Sequence, residues 1–332
     1  MFFLLRKLNP KLTEADIFQL IKTSTDSFYL LQVPSSPSAV EEKTKDSKAS
    51  TPKPNDSITN NEESTDENNI LHGNNLYELT AKCLDDLLKT ILERDVNNEG
   101  LTSIYKHLEP WLTSVNDHER LRSIRSLCSI LKHFANIYKP NEDEKKPSSL
   151  ESFGTILGRI VSRSTDPVIQ IRTYTVDCIE NLIKINNLMK NDEKQTDDKE
   201  IESLSSIKQK LVKNDSNILL SAVSDLSKIL CKQVTSGDQL IIFIEKLIDG
   251  LLDIQSHCSS ASCIFLNYCV KIRAGELKAQ VDNLIRHLYT KLGLIQNQQA
   301  KLGTLRTIRV LFQQHLIESL NVLLSLPIPC NK

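Results

Sequence analysis

Apolar residues along this chain recur every three to four positions. Leu76, Leu79, Cys83, Leu87 and Ile91 form one stripe, and Leu101, Ile104, Tyr105, Leu108, Trp111 and Leu112 form the next. Spacing at i, i+3, i+4 and i+7 predicts amphipathic helices. The pattern continues through Leu121, Ile124, Cys128, Leu131, Ala135 and Tyr138, then through Val168, Ile171, Cys178, Leu182 and Ile185. Further helices are predicted over 150–164, 217–234, 239–254, 256–273, 276–295 and 298–324. The last carries Leu302, Leu305, Ile308, Phe312, Leu316, Leu320 and Leu323 as its stripe. Strands need β-branched and aromatic runs bounded by Gly or Pro. Such runs are nearly absent, so the pattern predicts an all-α fold.

The helices come in pairs. Asp117, Asp166, Asp215, Ser256 and Asn297 mark junctions at spacings of 49, 49, 41 and 41 residues, each just before an amphipathic helix. Asp117 is a candidate cap, and Asp166-Pro167 reads as a cap followed by proline at the first helical position. Pro110 falls late in a predicted helix and should kink it, because its ring crowds the preceding turn and it donates no hydrogen bond. A helix pair repeated about every 40–47 residues is the pattern of HEAT-type repeats. The fold is therefore expected to be an α-solenoid of stacked antiparallel helix pairs (an ARM-type fold), in which stacking buries the stripe that no pair can bury alone. The two longer spacings trace to polar loops at 140–149 and 189–200, which should lie on the surface.

Ahead of the repeats the pattern changes. Residues 1–33 read as an N-terminal helical region, with Thr13 to Asp16 as a start signal and Ile17, Leu20 and Ile21 on one face. Residues 34–75 form an acidic insert rich in Ser, Thr and Asn, with almost nothing to bury, and are expected to be disordered. The solenoid is placed at 76–326 and a tail at 327–332. The sequence also reads as one segment of a longer solenoid, although a short paralogue fits equally well.

Composition narrows the class. Hydrophobic residues make up 39% of the chain but aromatics only 5%, with nine Gly and eleven Pro. The formal net charge is −1. Between Val33 and Asn75 four Lys and eight acidic residues give −4, which leaves +3 for the rest. That balance supplies no field for nucleic acid, which is not expected as a partner. The opening Met1-Phe2-Phe3-Leu4-Leu5-Arg6-Lys7 has the reverse order of a signal peptide, and no apolar run approaches the roughly 20 residues of a membrane helix. Eight cysteines scattered through a long chain fit a reducing cytoplasm, most of them as small buried hydrophobes.

Two stretches carry a resemblance. One is Leu108-Glu109-Pro110-Trp111-Leu112, then Ser114, running to Glu119-Arg120 and Arg122; the other ends Leu323-Leu324, then Leu326-Pro327-Ile328-Pro329. Both resemble the maestro heat-like repeat-containing protein family, with looser similarity over 76–329. The resemblance implies HEAT architecture and cytoplasmic scaffolding and brings no catalytic residue. The acidic insert and the shortness of the chain depart from the family pattern.

The candidate chemistry is modest. Arg122 and Arg172 follow Asp117 and Asp166 by five and six residues. In HEAT-like repeats this spacing lets an arginine of one turn meet the aspartate of its neighbour, which makes a structural ladder; the same guanidinium fork also suits phosphate or an acidic peptide. Arg125 and Lys132 share a helix face with Arg122, and Arg306 pairs with Arg309, as candidate basic surface patches. Trp111 matches the phase of Leu101, Ile104 and Leu108 and is expected in the core. His257, Cys258, Cys263 and Cys269 invite a zinc reading, but Cys258 and Cys269 would stand about 16 Å apart along a helix, too far to share one ion. No GxxxxGK[ST], GxGxxG, HExxH or GxSxG motif occurs. No metal, cofactor or catalytic residue is assigned, and an enzyme is not expected.

The expectation is a non-enzymatic cytoplasmic scaffold or adaptor that binds proteins through an extended repeat surface. The alternative is a peripheral membrane adaptor of endosome or lysosome type, recruited by a small GTPase or an anionic lipid, in which Arg306 and Arg309 would matter more.

Overall fold

The computed structural model describes residues 13–31, 63–139, 150–190, 198–234 and 237–327. Helices dominate these residues, and none of them is in a strand. The chain divides into two compact units, Met1–Leu87 and Leu88–Lys332.

In the first unit, α1 (Glu14–Tyr29) starts with a capping box. The Thr13 hydroxyl accepts from Asp16 N at 3.2 Å, and the Asp16 carboxylate accepts from Thr13 N at 3.0 Å, satisfying two otherwise orphaned amides. Phe28 of α1 stacks on Tyr77 of α2 (Glu63–Leu92), ring centroids 5.4 Å apart. Residues 34–62 of the polar insert lie outside the described residues, and the backbone is helical from Glu63 onward. The stripe expected along α2 is buried only toward its end. Leu76, Leu79 and Cys83 are exposed, Leu87 is buried and Ile91 half-buried, while Ala81, Leu84, Leu88 and Leu92 supply the rest of the buried face. The segment holds two leucine sets of helical period, and spacing alone could not rank them.

The second unit contains the repeats. Its helices are α3 (Asn98–Leu108), α4 (Asp117–Ile137), α5 (Phe153–Ile160), α6 (Ile169–Lys190), α7 (Asp198–Leu211), α8 (Ser216–Gln233), α9 (Gly237–Gly250), α10 (Ser256–Arg273), α11 (Val281–Leu292), α12 (Gln298–Gln314) and α13 (Leu316–Ser325). Short 3₁₀ segments extend three of the first helices: Glu109–Thr113, Val161–Thr165 and Ala274–Gln280. Pro110 sits in the first of these segments. It ends α3 at Leu108, because an α-helix cannot continue past the missing donor. The tighter 3₁₀ turn advances about 120° per residue, so Leu112 takes the buried place and Trp111 is only half-buried. The expectation of a core Trp111 is corrected on that ground.

Among the second helices, α4 packs against α6, α8 against α10 and α10 against α12. In the layer of first helices, α9 packs directly on α5, skipping the intervening pair. The first helix of that pair, α7, packs instead on α6 and α8. Its sequence explains the displacement. Of its described side chains only Leu204, Ile207 and Leu211 are buried, too narrow a stripe to fill a site between two apolar helices. Meanwhile α5 offers Gly154 and Gly158 to α9. A Cβ at Gly158 would lie 2.7 Å from Lys246 Cβ, and one at Gly154 would collide with the Gln239 carbonyl. The junction is also hydrogen-bonded: Gln239 Oε1 accepts from Gly154 N at 2.7 Å, and its amide donates to Glu151 O at 2.6 Å.

The cysteine expectation needs one amendment. Cys231 of α8 and Cys269 of α10 form a disulfide, their Cα atoms 5.8 Å apart, while Cys83, Cys128, Cys178, Cys258 and Cys263 are free. The paired residues are 38 positions apart on neighbouring second helices, a proximity that only stacking creates. Beside them Arg273 donates to the Cys231 and Val234 carbonyls at 3.0 and 2.7 Å, placing a cation at the end of α8 where the helix dipole favours it.

Candidate interaction surface

Each repeat turns at a short polar residue whose side chain accepts from the backbone N–H two positions on. Ser114 does this for Asn116, Asp166 for Val168, Asp215 for Asn217, Asp253 for Gln255 and Asn297 for Gln299, all between 2.8 and 3.1 Å. The turns therefore follow Ser114 and Asp253 rather than Asp117 and Ser256. Asp117 is exposed as the first residue of α4, with Asn116 as its cap. Such side-chain oxygens compete with the helix for local amides and fix the entry of the next helix.

Three of these turns converge on a buried charge cluster. Arg120 grips Asp166 with two parallel bonds, Nε to Oδ2 at 2.9 Å and Nη2 to Oδ1 at 3.1 Å. Its Nη1 donates to the carbonyls of Ser114 and Val115. Arg163 reaches Asp166 Oδ2 at 3.1 Å and is ion-paired with Asp253. Arg172 donates to Asp166 O at 3.1 Å and to Asn214 Oδ1 at 2.7 Å. Arg120, Arg163, Asp166 and Arg172 are all at most 2% exposed. Charges this deep persist only when paired and hydrogen-bonded, and guanidinium forks supply both.

Asp166 and Arg172 from the sequence reading thus lie within the cluster. Arg122 is buried on α4, two positions beyond the Arg120 that grips Asp166, and Asp117 is exposed. The residues that do link the turns, Arg120, Arg163 and Asp253, were missed. No local signal singled them out: Arg120 stands among Asp117, Glu119 and Arg122, and Arg163 between Ser162 and Ser164. Cys258 lies close enough for Arg163 and Asp166 to act on it; burial pushes its thiol up to about 11, against the opposing pull of Arg163.

Next to the cluster a cleft of about 240 Å³ opens, lined by Thr113, Arg159, Ser162, Lys246, Asp249 and Asp253 among others. Glu109 holds two of its cations, Arg159 Nε at 3.1 Å and Lys246 Nζ at 3.0 Å. Asp249 faces Lys291 at 3.3 Å. Asp253 belongs to both cleft and cluster. The remaining basic candidates are dispersed: Arg125 is half-buried, Lys132 is exposed, and Arg306 and Arg309 are exposed together on α12. Among the described residues no group of His, Cys, Asp and Glu is arranged to hold a metal, and no helix is long and apolar enough to cross a membrane.

Comparison with known proteins accords with this architecture. The family model described as "Maestro, HEAT repeats" matches residues 118–332. Over 250 residues, 74% of the chain, it is 31% identical to maestro heat-like repeat-containing protein family member 1 of Dictyostelium discoideum. The human member 1 is 28% identical over 257 residues, 76% of the chain, and the mouse member 2A is 24% identical over 256 residues, also 76%. The aligned region is 15% of each of these three relatives, so the chain spans a small part of their length. The helix pairs, their polar turns and this match together place the chain in the Maestro HEAT-repeat family.

Proposed function

We propose that the chain is a non-enzymatic scaffold of the cytoplasm that holds other proteins along its helix-pair surface. Helical repeat arrays generally present extended surfaces to partners rather than enclosing a reaction site. The observation that carries the proposal is the cleft between α5 and α9. It has both signs of charge on its walls, in Arg159, Lys246, Asp249 and Asp253, and its floor is fixed by the buried cluster. A rigid wall with mixed charge suits a polypeptide segment, because rim charges set register and reject wrong partners.

A photo-crosslinking residue tests this when placed at Ile254, which lines the cleft and is 68% exposed. A control goes at Lys228 on α8. In cytosol, Ile254 should crosslink to discrete protein bands that disappear in the Arg159→Glu, Lys246→Glu variant. Equal crosslinking at the two positions, or bands indifferent to the charge reversal, would remove the cleft from the proposal.

A further inference from the structure

Second helices that pack on one another bring two pairs of cysteines together. Cys231 and Cys269 are bonded across α8 and α10 with their Cα atoms 5.8 Å apart, a separation that a disulfide spans without backbone movement. Cys128 of α4 and Cys178 of α6 meet across the next such interface as free thiols. Cys178 Sγ donates to Ile124 O at 3.8 Å. Ile124 lies one turn before Cys128 on α4, and helical side chains lean back over the preceding turn. The Cys128 thiol therefore covers the spot that Cys178 reaches, and the two thiols are hydrogen-bonded. Neither of them lines the cleft.

The two sulfurs are not equivalent. Cys178 is buried, whereas Cys128 is half-exposed and within reach of a small solute. The hydrogen bond from Cys178 holds the Cys128 thiol below its usual range, and burial holds Cys178 well above its own. Charged groups from three helices surround the pair. Asp177 of α6 opposes a thiolate at Cys128, while Lys208 of α7 and Lys132 of α4 favour it. Lys208 Nζ also holds Asp177 Oδ1 at 2.5 Å, so the displaced helix α7 offsets the carboxylate beside the pair. One sulfur is thus set up to attack, and the other to resolve what the attack produces.

We infer that Cys128 and Cys178 form a peroxide-responsive dithiol whose oxidation clamps α4 to α6. The Cys128 thiolate attacks one oxygen of hydrogen peroxide and the O–O bond breaks. The departing hydroxide takes up the proton that Cys128 released, which gives water and a sulfenic acid. The Cys178 sulfur then attacks the Cys128 sulfur, the S–O bond breaks, and hydroxide leaves as water with the Cys178 proton. Two thiols are oxidised to one disulfide, and one peroxide is reduced to two waters. Reduced glutathione reopens the bond by thiol exchange. The clamp joins the same two helices as Arg120 and Asp166, about 12 Å further along α4.

The test uses the full chain and hydrogen peroxide itself. Treated protein is quenched with catalase, unfolded in N-ethylmaleimide and mapped by peptide mass spectrometry. A disulfide-linked peptide pair holding Cys128 and Cys178 should form at least tenfold faster than the exposed Cys83 is oxidised, and glutathione should remove it. In Cys128→Ser, at a half-exposed site, the link should be lost and Cys178 should stay open to alkylation. Cys178→Ala should leave Cys128 as a sulfenic acid that dimedone traps at least tenfold more than in the wild type. The wild type and Cys128→Ser decide the matter even if Cys178→Ala does not fold. Peroxide-treated wild type should also melt about 5 °C or more above untreated protein, a rise absent from Cys128→Ser. Full alkylation of Cys128 and Cys178 after Cys83 has been consumed overturns the inference and leaves the two as packing thiols. A link that forms no faster than Cys83 is oxidised, or a linked protein that melts no higher, overturns it as well.

Discussion

Arg120 and Asp166, 46 residues apart, meet through two parallel hydrogen bonds of 2.9 and 3.1 Å with both side chains at most 2% exposed. The pair ties the start of α4 to the turn before α6, so the two repeats share one electrostatic joint. Arg163 extends the joint to Asp253 and thereby crosses the displaced pair. We propose a structural ladder here, continued toward the next turn by Arg172 and Asn214.

Breaking the joint from one side should be costly. Arg120→Ala should destabilise the second unit by about 3–5 kcal/mol, because Asp166 keeps a buried charge with one arginine fewer. Replacing both members, as Arg120→Met with Asp166→Leu, should cost clearly less than the two single losses added. Urea titrations of the four proteins give the coupling directly. Additive losses would mean that the two residues do not act together.

Gly158→Ala should destabilise although it lies within a helix. In an exposed helix the change would gain about 0.5–1 kcal/mol. Here the new methyl would meet Lys246 Cβ at 2.7 Å and the Phe243 carbonyl at 3.0 Å, and overpacking of this kind costs about 1–3 kcal/mol. Gly275, which has nothing within 4 Å of an added Cβ, is the control. Thermal melts that rank the two substitutions alike would contradict the close approach of α5 and α9.

Thiol reactivity should split the cysteines. Cys83 is exposed, and the Cys178 thiol, by hydrogen bonding to Cys128, lowers the pKa of that half-exposed group. Burial pushes Cys258 and Cys263 up to about 11. Since the thiolate is the nucleophile, iodoacetamide at pH 7.5 should label Cys83 and Cys128 first and leave Cys258 and Cys263 until the protein unfolds. Peptide mass mapping reads the order. Cys231 and Cys269 should become labelled only after reduction.

Leu112 should outweigh Trp111 in the early repeats. Leu112 is 1% exposed, and Leu112→Ala should cost about 2–5 kcal/mol. Trp111 is half-buried, so Trp111→Ala should fall below the roughly 3–5 kcal/mol typical of an enclosed aromatic. As the only tryptophan, it also reports directly: its fluorescence should be partly quenched by acrylamide in the folded protein. Full protection would return it to the core.

Much of the architecture is set by periodicity. A chain with helical spacing, few aromatics and polar turns about every 40–50 residues has no other way to bury its leucines than to stack helix pairs, and no relative was needed to read that. Asp215 and Asn297 were legible as junctions just before a helix, and each caps the helix it precedes, because capping is local, decided within three residues of the helix start. The register of the other turns was less so. Asp117 and Ser256 sit at plausible sites, and only the backbone shows Ser114 and Asp253 taking the turn. Contacts between repeats were not legible at all. Nothing local to Arg120 distinguishes it from Arg122, although the two positions stand about 200° apart around α4 and it is Arg120 that grips Asp166 with two bonds. The direct packing of α5 on α9, the Cys231–Cys269 bond and the exposed leucines of α12 and α13 belong to the same class. Local spacing specifies each helix and its apolar face. Which faces meet depends on interactions across tens of residues, whose energies are comparable to those of the alternatives, and only the assembled tertiary structure decides among them.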